Sequence, residues 1–474
     1  MTEDNNTNQG FGDFEELKEE TLMIRTSIID RPKKSKAELI EIIEQFVLQS
    51  MEALANCSEI VFEYPSPECW ENFVFDPEVG IVSRHADKFN KLKLVQVSTE
   101  NETSLSTVDH LMHTLSVIYD LLVSDAFSTK RDLYYQNVNT YDQKQRNLDK
   151  SVDTICSILQ VDRLDLHVMS SAKGLLSGSL TITLKNCPDN PIDCSISPQL
   201  VPNLIEDIIQ LESEAQFILV IEKDATFQSL IQNKIFSWLP PFILFTAKGY
   251  PDVASRAFLR YLVSKLHIPV FVLCDADVHG VDIMLQYKYG SRTTAVNNPH
   301  LTLPCLHWLG VFPSEIEELN IKEEFLIEMT ETDTVRIKDI MKRPYLSDES
   351  EWKSELEVLA KIKFKVEIQA VVASVSNFNF LATYIRDKIR TLSFGSLKCD
   401  SQALSDKISL LEDQQSTSSG TDLSEASLLS SGGGSQDEIS DDEYDHTSEQ
   451  FETHDHLDMI LSYQVDGSCD ESKE

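Results

Sequence analysis

Two groups of residues in this chain carry chemistry. Residues 128–135 read STKRDLYY, so Arg131 stands three and four residues before the phenols Tyr134 and Tyr135. A phenol, with a pKa near ~10, is a poor nucleophile at neutral pH and needs a neighbour that favours phenolate. A guanidinium is always charged and can fork onto two phosphate oxygens, which suits that task. Adjacent tyrosines are also common in strands, so a decorated strand edge fits the stretch as well. Lys130 reads as a surface residue or as a second such cationic group. The second group is acidic: Glu222 closes ILVIEKD, while Asp275 and Asp277 close FVLCDADVHG. Three carboxylates converging there would repel one another unless a cation sits between them. Mg2+ is the ion expected, being hard, oxygen-liganded and satisfied by one or two carboxylates plus water and phosphate. Strand-end acids also cap helices, and Asp224 or Asp282 fits that smaller role.

Acids at strand ends need a parallel sheet behind them. From about residue 205, AQFILVIEKDA, PFILFTAKG and IPVFVLCDAD are short runs of β-branched and aromatic residues. Helical segments at about 225–236 and 251–266 separate them, which predicts a doubly wound parallel sheet, apolar on both faces. Ligands gather beyond the carboxyl ends of such strands. Residues 280–395 add a strand, loops and two long helices, the clearer at about 349–373.

The tyrosines need a different frame. Ser35 and Glu38 form a capping box ahead of a helix, and Leu39, Ile42, Ile43, Phe46, Val47, Met51 and Leu54 predict one buried stripe. EYPSPECWENFVFDPE reads as a long ordered loop. Helices follow at about 104–126 and 149–160, and DRLDLHVMSSAKGLLSG predicts a further short helix and turn. SLTITL then alternates like a half-buried strand. Helices followed by such a strand suit a winged-helix module.

Charge and composition narrow the function classes. The chain has 474 residues, a formal net charge of −37 and 41% hydrophobic content. Residues 401–474 hold 19 acids against 2 lysines, and residues 1–21 hold 7 acids against 1 lysine, leaving −14 for the rest. That balance speaks against nucleic acid unless a basic groove is local. The nine cysteines show no CxxC pair, as in a reducing compartment, so a zinc site is not expected. No apolar run approaches a membrane span, and the polar, acidic N-terminus is unlike a secretory signal. RPKKSK at 31–36 reads as a solvated segment or a short nuclear-import patch. The domains expected are a flexible segment 1–34, a helical and winged-helix domain 35–200, an α/β domain 201–395 and a disordered acidic tail 396–474.

A strand-end Glu, then KGYPD (248–252), then Asp-x-Asp-x-His-Gly resembles a Toprim domain. The ordered set STKRDLYY, SAKGLLSG (171–178), VIEKDA, KGYPD, CDADVHG, YKYGS (287–291), HWLGVFPSEIEEL (307–319) and KRPY (342–345) is similar to the A subunit of topoisomerase VI. Within that family it resembles the branch of meiotic double-strand-break transesterases, over roughly residues 40–395. The resemblance implies a Rossmann-like Toprim fold after a CAP-like winged helix. It implies cleavage of double-stranded DNA by Tyr135, leaving a 5′-phosphotyrosine, with Arg131 beside it and Tyr134 in a packing role. It implies Mg2+ on Glu222, Asp275 and Asp277, and DNA contacts from Lys173, Lys248 and Tyr250. His279 reads either as a general acid or as a hydrogen-bonded loop residue. The catalytic unit implied is a homodimer in which each tyrosine works with the partner's metal. A B-like subunit docked near 35–56, meiotic accessory proteins and a nuclear, chromosomal setting follow as well. No P-loop is visible, so an ATPase would belong to another chain or be absent. Val278 departs from the proline usual after the family's Asp-x-Asp. Two other readings stand beside this one: a resealing topoisomerase subunit with the same site, and a scaffold paralogue, which would be expected to lose it.

Overall fold

The structure, a computed structural model, describes residues 14–26 and 34–399, except for short stretches between 57 and 101 and at 170, 293, 296–297, 320, 347–350 and 375–379. The acidic tail lies outside the described residues.

Within the segment 1–34 expected to be flexible, residues 14–26 are described and form a packed helix, while the rest, apart from residue 34, lies outside the described residues. α1 (Glu15–Thr26) looks too acidic to pack. However, Phe14, Leu17 and Thr21 fall on one helical face and are buried. Phe14 reaches Phe217 and Phe271, with ring centroids 6.1 and 6.2 Å away, and so belongs to the core of the α/β region.

α2 (Lys36–Ala55) starts at the Ser35–Glu38 capping box. Leu39 and Ile43 are buried, but Met51 and Leu54 are exposed, so the expected stripe ends half-way along the helix. The stretch expected as a loop contains strands instead. Ile60–Pro65 pairs with Leu92–Val97, and Phe73–Asp76 forms a hairpin with Ile81–Arg84. α3 (Glu102–Ser124), α4 (Lys130–Gln136) and α5 (Gln145–Leu159) complete a helical core with α2. Leu111, Leu115, Ile118, Leu133, Leu148, Val152 and Ile155 fill it. The strand Thr181–Leu184, expected to close this module, buries Ile182 in the next core instead.

The larger sheet has six strands in the order Gln199–Leu200, Leu175–Gly178, Ile243–Thr246, Ile218–Ile221, Val270–Leu273, Leu306–Gly310. The last four run parallel, Leu175–Gly178 runs antiparallel to them and Gln199–Leu200 antiparallel to Leu175–Gly178, so the sheet is mixed rather than purely parallel. LLSG, expected in a helix and turn, is one of the antiparallel strands, and the boundary expected at residue 200 therefore falls within this sheet's strands. Gly178, at φ +112°, permits that strand's close approach: a Cβ there would lie 2.3 Å from the Phe242 carbonyl oxygen.

Alternate strand residues face opposite layers. Ile218, Val220, Phe245 and Val272 meet α7 (Val253–Leu266) and α8 (Val278–Lys288). Leu219, Ile221, Leu244 and Leu273 meet α6 (Asp224–Gln232) on the other side. α9 (Glu331–Met341) and α10 (Glu351–Ile362) pack with the first layer, and α11 (Ile368–Ser374) and α12 (Phe380–Cys399) with the second. The helix expected across 349–373 is thus broken in two. Lys363 takes a left-handed conformation, φ +59°, and Phe364–Lys365 pairs with Ile327–Glu328 before α11 begins. Among the described residues no helix is long and apolar enough to cross a membrane.

Candidate active site

The tyrosine pair stands on a helix, not at a strand edge. Thr129 caps α4 by accepting a hydrogen bond from Asp132 N at 3.1 Å. Leu133 is buried and anchors the helix; Tyr134, the next residue, packs partly against the same core. One further step turns Tyr135 outward, 70% exposed. Arg131, also exposed, lies four residues earlier, so the guanidinium and the outer phenol share one helical face. Lys130, expected at the surface, is drawn in: its side chain is 17% exposed and lies 3.0 Å from Asp149 on α5.

Glu222 and Asp275 follow neighbouring parallel strands, which pair Ile221 with Leu273. Glu222 is 7% exposed and Asp275 fully buried. Asp275 N donates to Glu222 Oε2 at 2.9 Å. Burial, reinforced by the charges of Asp275 and Asp277, pushes the Glu222 carboxyl up to about 8. Burial also raises Asp275, against the pull of Lys223. Asp277 performs the capping role: its Oδ1 accepts from Gly280 N at 2.6 Å at the start of α8. Gly280 is required by crowding, since a Cβ there would lie 2.4 Å from Asp275 O and 3.1 Å from Glu222 Oε2.

Two residues that sequence reasoning missed complete this cluster. Lys223 Nζ lies 2.6 Å from Asp275 Oδ2 and 3.0 Å from Glu367 Oε1. Burial opposes the Lys223 charge, but Asp275 and Glu367 outweigh it and hold the ammonium above its ordinary range. Ile368 N donates to Asp275 Oδ1 at 2.9 Å. Lys223 was legible as a neighbour of Glu222, whereas Glu367 lay inside an expected helix and gave no signal. Among the described residues no three His, Cys, Asp or Glu side chains converge tightly enough to form a finished metal cage. Asp275 is turned toward Ile368 N and Lys223, and Asp277 toward Gly280 N. The donors nevertheless fit a hard divalent cation. They are carboxylate oxygens, and the burial and the neighbouring charges of Asp275 and Asp277 that raise Glu222 are what such an ion would offset.

The expected DNA-contacting residues fall into one neighbourhood. Lys248, at φ +58°, begins the KGYPD turn and lies 3.3 Å from Asp224. Asp224 therefore pairs with this lysine from the first turn of α6. Lys173 N donates to Asp252 Oδ2 at 3.3 Å, and Lys173 Nζ to the Lys248 carbonyl at 3.5 Å. Tyr250 is half-buried, and its hydroxyl donates to Asp282 Oδ2 at 2.9 Å while accepting from Arg336. Burial and the Asp282 charge raise its pKa. His279 Nδ1 lies 3.2 Å from the same hydroxyl and Nε2 3.7 Å from Asp333, so this histidine is hydrogen-bonded. Asp282 caps nothing. It is 1% exposed inside α8 and carries ion pairs to Arg336 and Arg343.

Comparison with known proteins agrees along the chain. The family model for the Toprim domain of the topoisomerase 6 A-subunit/Spo11 group matches residues 217–389, and that for type IIB DNA topoisomerase matches residues 106–168. Meiotic recombination protein SPO11 of Mus musculus is 35% identical over 356 residues, 75% of this chain and 88% of the relative. Its Homo sapiens counterpart is 33% identical over the same shares. The A subunit of DNA topoisomerase 6 from Arabidopsis thaliana is 32% identical over 343 residues, 71% of this chain and 76% of the relative.

Proposed function

The chain belongs to the topoisomerase 6 A-subunit/Spo11 family, and from that premise we propose that it is a tyrosine transesterase that makes the DNA double-strand breaks of meiotic recombination. The observation that carries this reading is Tyr135, exposed on α4 one turn after Arg131. The Tyr135 phenolate oxygen attacks a backbone phosphorus. A phosphotyrosyl bond forms to the 5′ side, the bond to O3′ breaks, and the 3′ oxygen leaves as a hydroxyl once it takes a proton. Arg131 neutralises charge on the phosphate oxygens as the five-coordinate state forms. Glu222 and Asp275 would hold Mg2+ with Asp277 close by, and the ion would supply charge neutralisation at the scissile phosphate and the departing oxygen.

The helical core that carries α4 acts as the winged-helix domain, and the six-stranded sheet, with Leu175–Gly178 and Gln199–Leu200 in it, acts with its helices to about 395 as the Toprim domain. Lys173 and Lys248 meet DNA phosphates, and Tyr250, its hydroxyl tied inward, offers its ring edge to a sugar or base. Two chains are needed for two strands, so the working form is a homodimer. It assembles on chromosomes in the nucleus with meiotic accessory proteins and a B-like subunit.

Denaturing recovery of the protein after reaction with Mg2+ and a DNA duplex tests the reading. Tyr135→Phe should abolish covalent adducts and Tyr134→Phe should retain them. The reverse pattern overturns the assignment. A second reading, a subunit that reseals DNA, draws on the 32% identity to the Arabidopsis topoisomerase chain. Relaxed, resealed circles formed with ATP and a B subunit would favour it.

A further inference from the structure

We propose that Lys223 is a positioning residue that controls divalent-cation access to Asp275, and that Glu367 is the carboxylate that receives its ammonium when a cation enters. The proposal rests on reading Glu222, Asp275 and Asp277 as the cation site.

The geometry is that of a charge held between two acids. Lys223 Nζ stands 2.6 Å from the buried Asp275 Oδ2 and 3.0 Å from Glu367 Oε1. Its backbone is fixed between the strand Ile218–Ile221 and the first turn of α6, so only the side chain is free to swing. Exposure rises along the path: the Asp275 side chain is 0% exposed, Lys223 30% and Glu367 46%. A movement toward Glu367 therefore rehydrates the ammonium.

Glu367 is held at the site by the carboxylate that Lys223 would leave. Ile368 N donates to Asp275 Oδ1 at 2.9 Å. Ala276 N donates to the Val366 carbonyl at 2.9 Å, and Val366 N to the Ala276 carbonyl at 3.2 Å. These three hydrogen bonds flank Glu367 on both sides. A divalent ion sharing Asp275 meets a like charge at contact distance, and that repulsion is strong where water is excluded. Lys223 is thus a tethered competitor for the ion. Glu367 lets it step aside without leaving a bare ammonium beside the metal.

Uptake of Mg2+ or Mn2+ by the full chain, without DNA, tests this by titration calorimetry, with thermal unfolding to confirm that each variant folds. Lys223→Met should bind the ion more tightly by on the order of tenfold, the scale on which outer partners tune metal sites. Lys223→Arg should keep the wild-type affinity. Glu367→Gln should weaken binding in the wild-type background and change nothing once Lys223 is Met, because Glu367 acts through Lys223. Equal or weaker binding by Lys223→Met overturns the role of Lys223. An equal effect of Glu367→Gln in both backgrounds reduces Glu367 to a distant charge and overturns its receiving role. If neither wild type nor Lys223→Met takes up an ion, the cation site itself fails, which is a different result from uptake of equal strength by both.

Discussion

Tyr134 and Tyr135 differ by one residue, a rotation of roughly 100° on a helix. That rotation packs the first ring against the helical core and leaves the second open to solvent. Buried charge makes a similar distinction among the acids. Asp277 caps α8, whereas Asp282, five residues on, takes two arginines and the Tyr250 hydroxyl. Burial pushes the Asp282 carboxyl up, but Arg343 and Arg336 outweigh it and hold it below the usual carboxylate range. A carboxyl depressed in the folded state stabilises above its unfolded value, and the stabilisation is lost as pH falls through the folded one. Asp282→Asn leaves two guanidiniums without a counter-charge, and it should cost about 3 kcal/mol at neutral pH. The wild type should lose stability on acidification below about pH 4, where an ordinary aspartate titrates, and the variant should lose less. Thermal unfolding across that window checks both statements. A variant with wild-type stability would mean that Asp282 is not what holds Arg336, Arg343 and Tyr250 together.

At the scale of elements, α4 has seven residues, too few to persist without tertiary contacts and a cap. Thr129 supplies the cap, so Thr129→Ala should cost about 1 kcal/mol and fray the turn that holds Arg131. Covalent-adduct yield should fall with it. An unchanged yield at reduced stability would show that α4 is held by Leu133 and the Lys130–Asp149 pair alone. The elements legible in sequence were those whose pattern is their own. The strands ending at Ile221, Thr246 and Leu273 are apolar on both faces, and α3 and α5 carry clear stripes. The misread elements depend on distant partners. LLSG is a strand because it pairs antiparallel with the distant Ile243–Thr246, Leu175 opposite Thr246 and Gly178 opposite Ile243. The helix expected over 349–373 breaks because the chain turns at Lys363 to reach Asp275 through Ile368. In the site, the acids showed as strand ends and the tyrosines as a pair. The contact of Lys223 with Asp275 did not show, because residues so far apart in sequence share no local period.

For the whole molecule, a formal charge of −37 and a DNA substrate are reconciled by where the charge lies. Residues 1–21 and 401–474 carry −6 and −17 of it, and the remaining −14 lies on the stretch that holds Lys173, Lys248 and Arg131, so contact with DNA is a matter of local placement. The larger question is how one chain presents a tyrosine to a set of acids. Tyr135 rides on a helix packed against α5, and the acids close strands of a different core. If each tyrosine works with the acids of the partner, mixing two dead variants restores half of the enzyme. A Tyr135→Phe chain supplies acids, and a Glu222→Gln chain supplies the phenol. Their mixed dimer then has one complete site and one site lacking both groups. Reaction with Mg2+ and closed circular DNA should therefore give nicked circles, not linear ones, with the Glu222→Gln chain covalently attached. If tyrosine and acids act within one chain, every site in the mixture lacks one group and no adduct forms. Exchange of protomers, followed by denaturing separation of chains of distinguishable size, reads the difference directly.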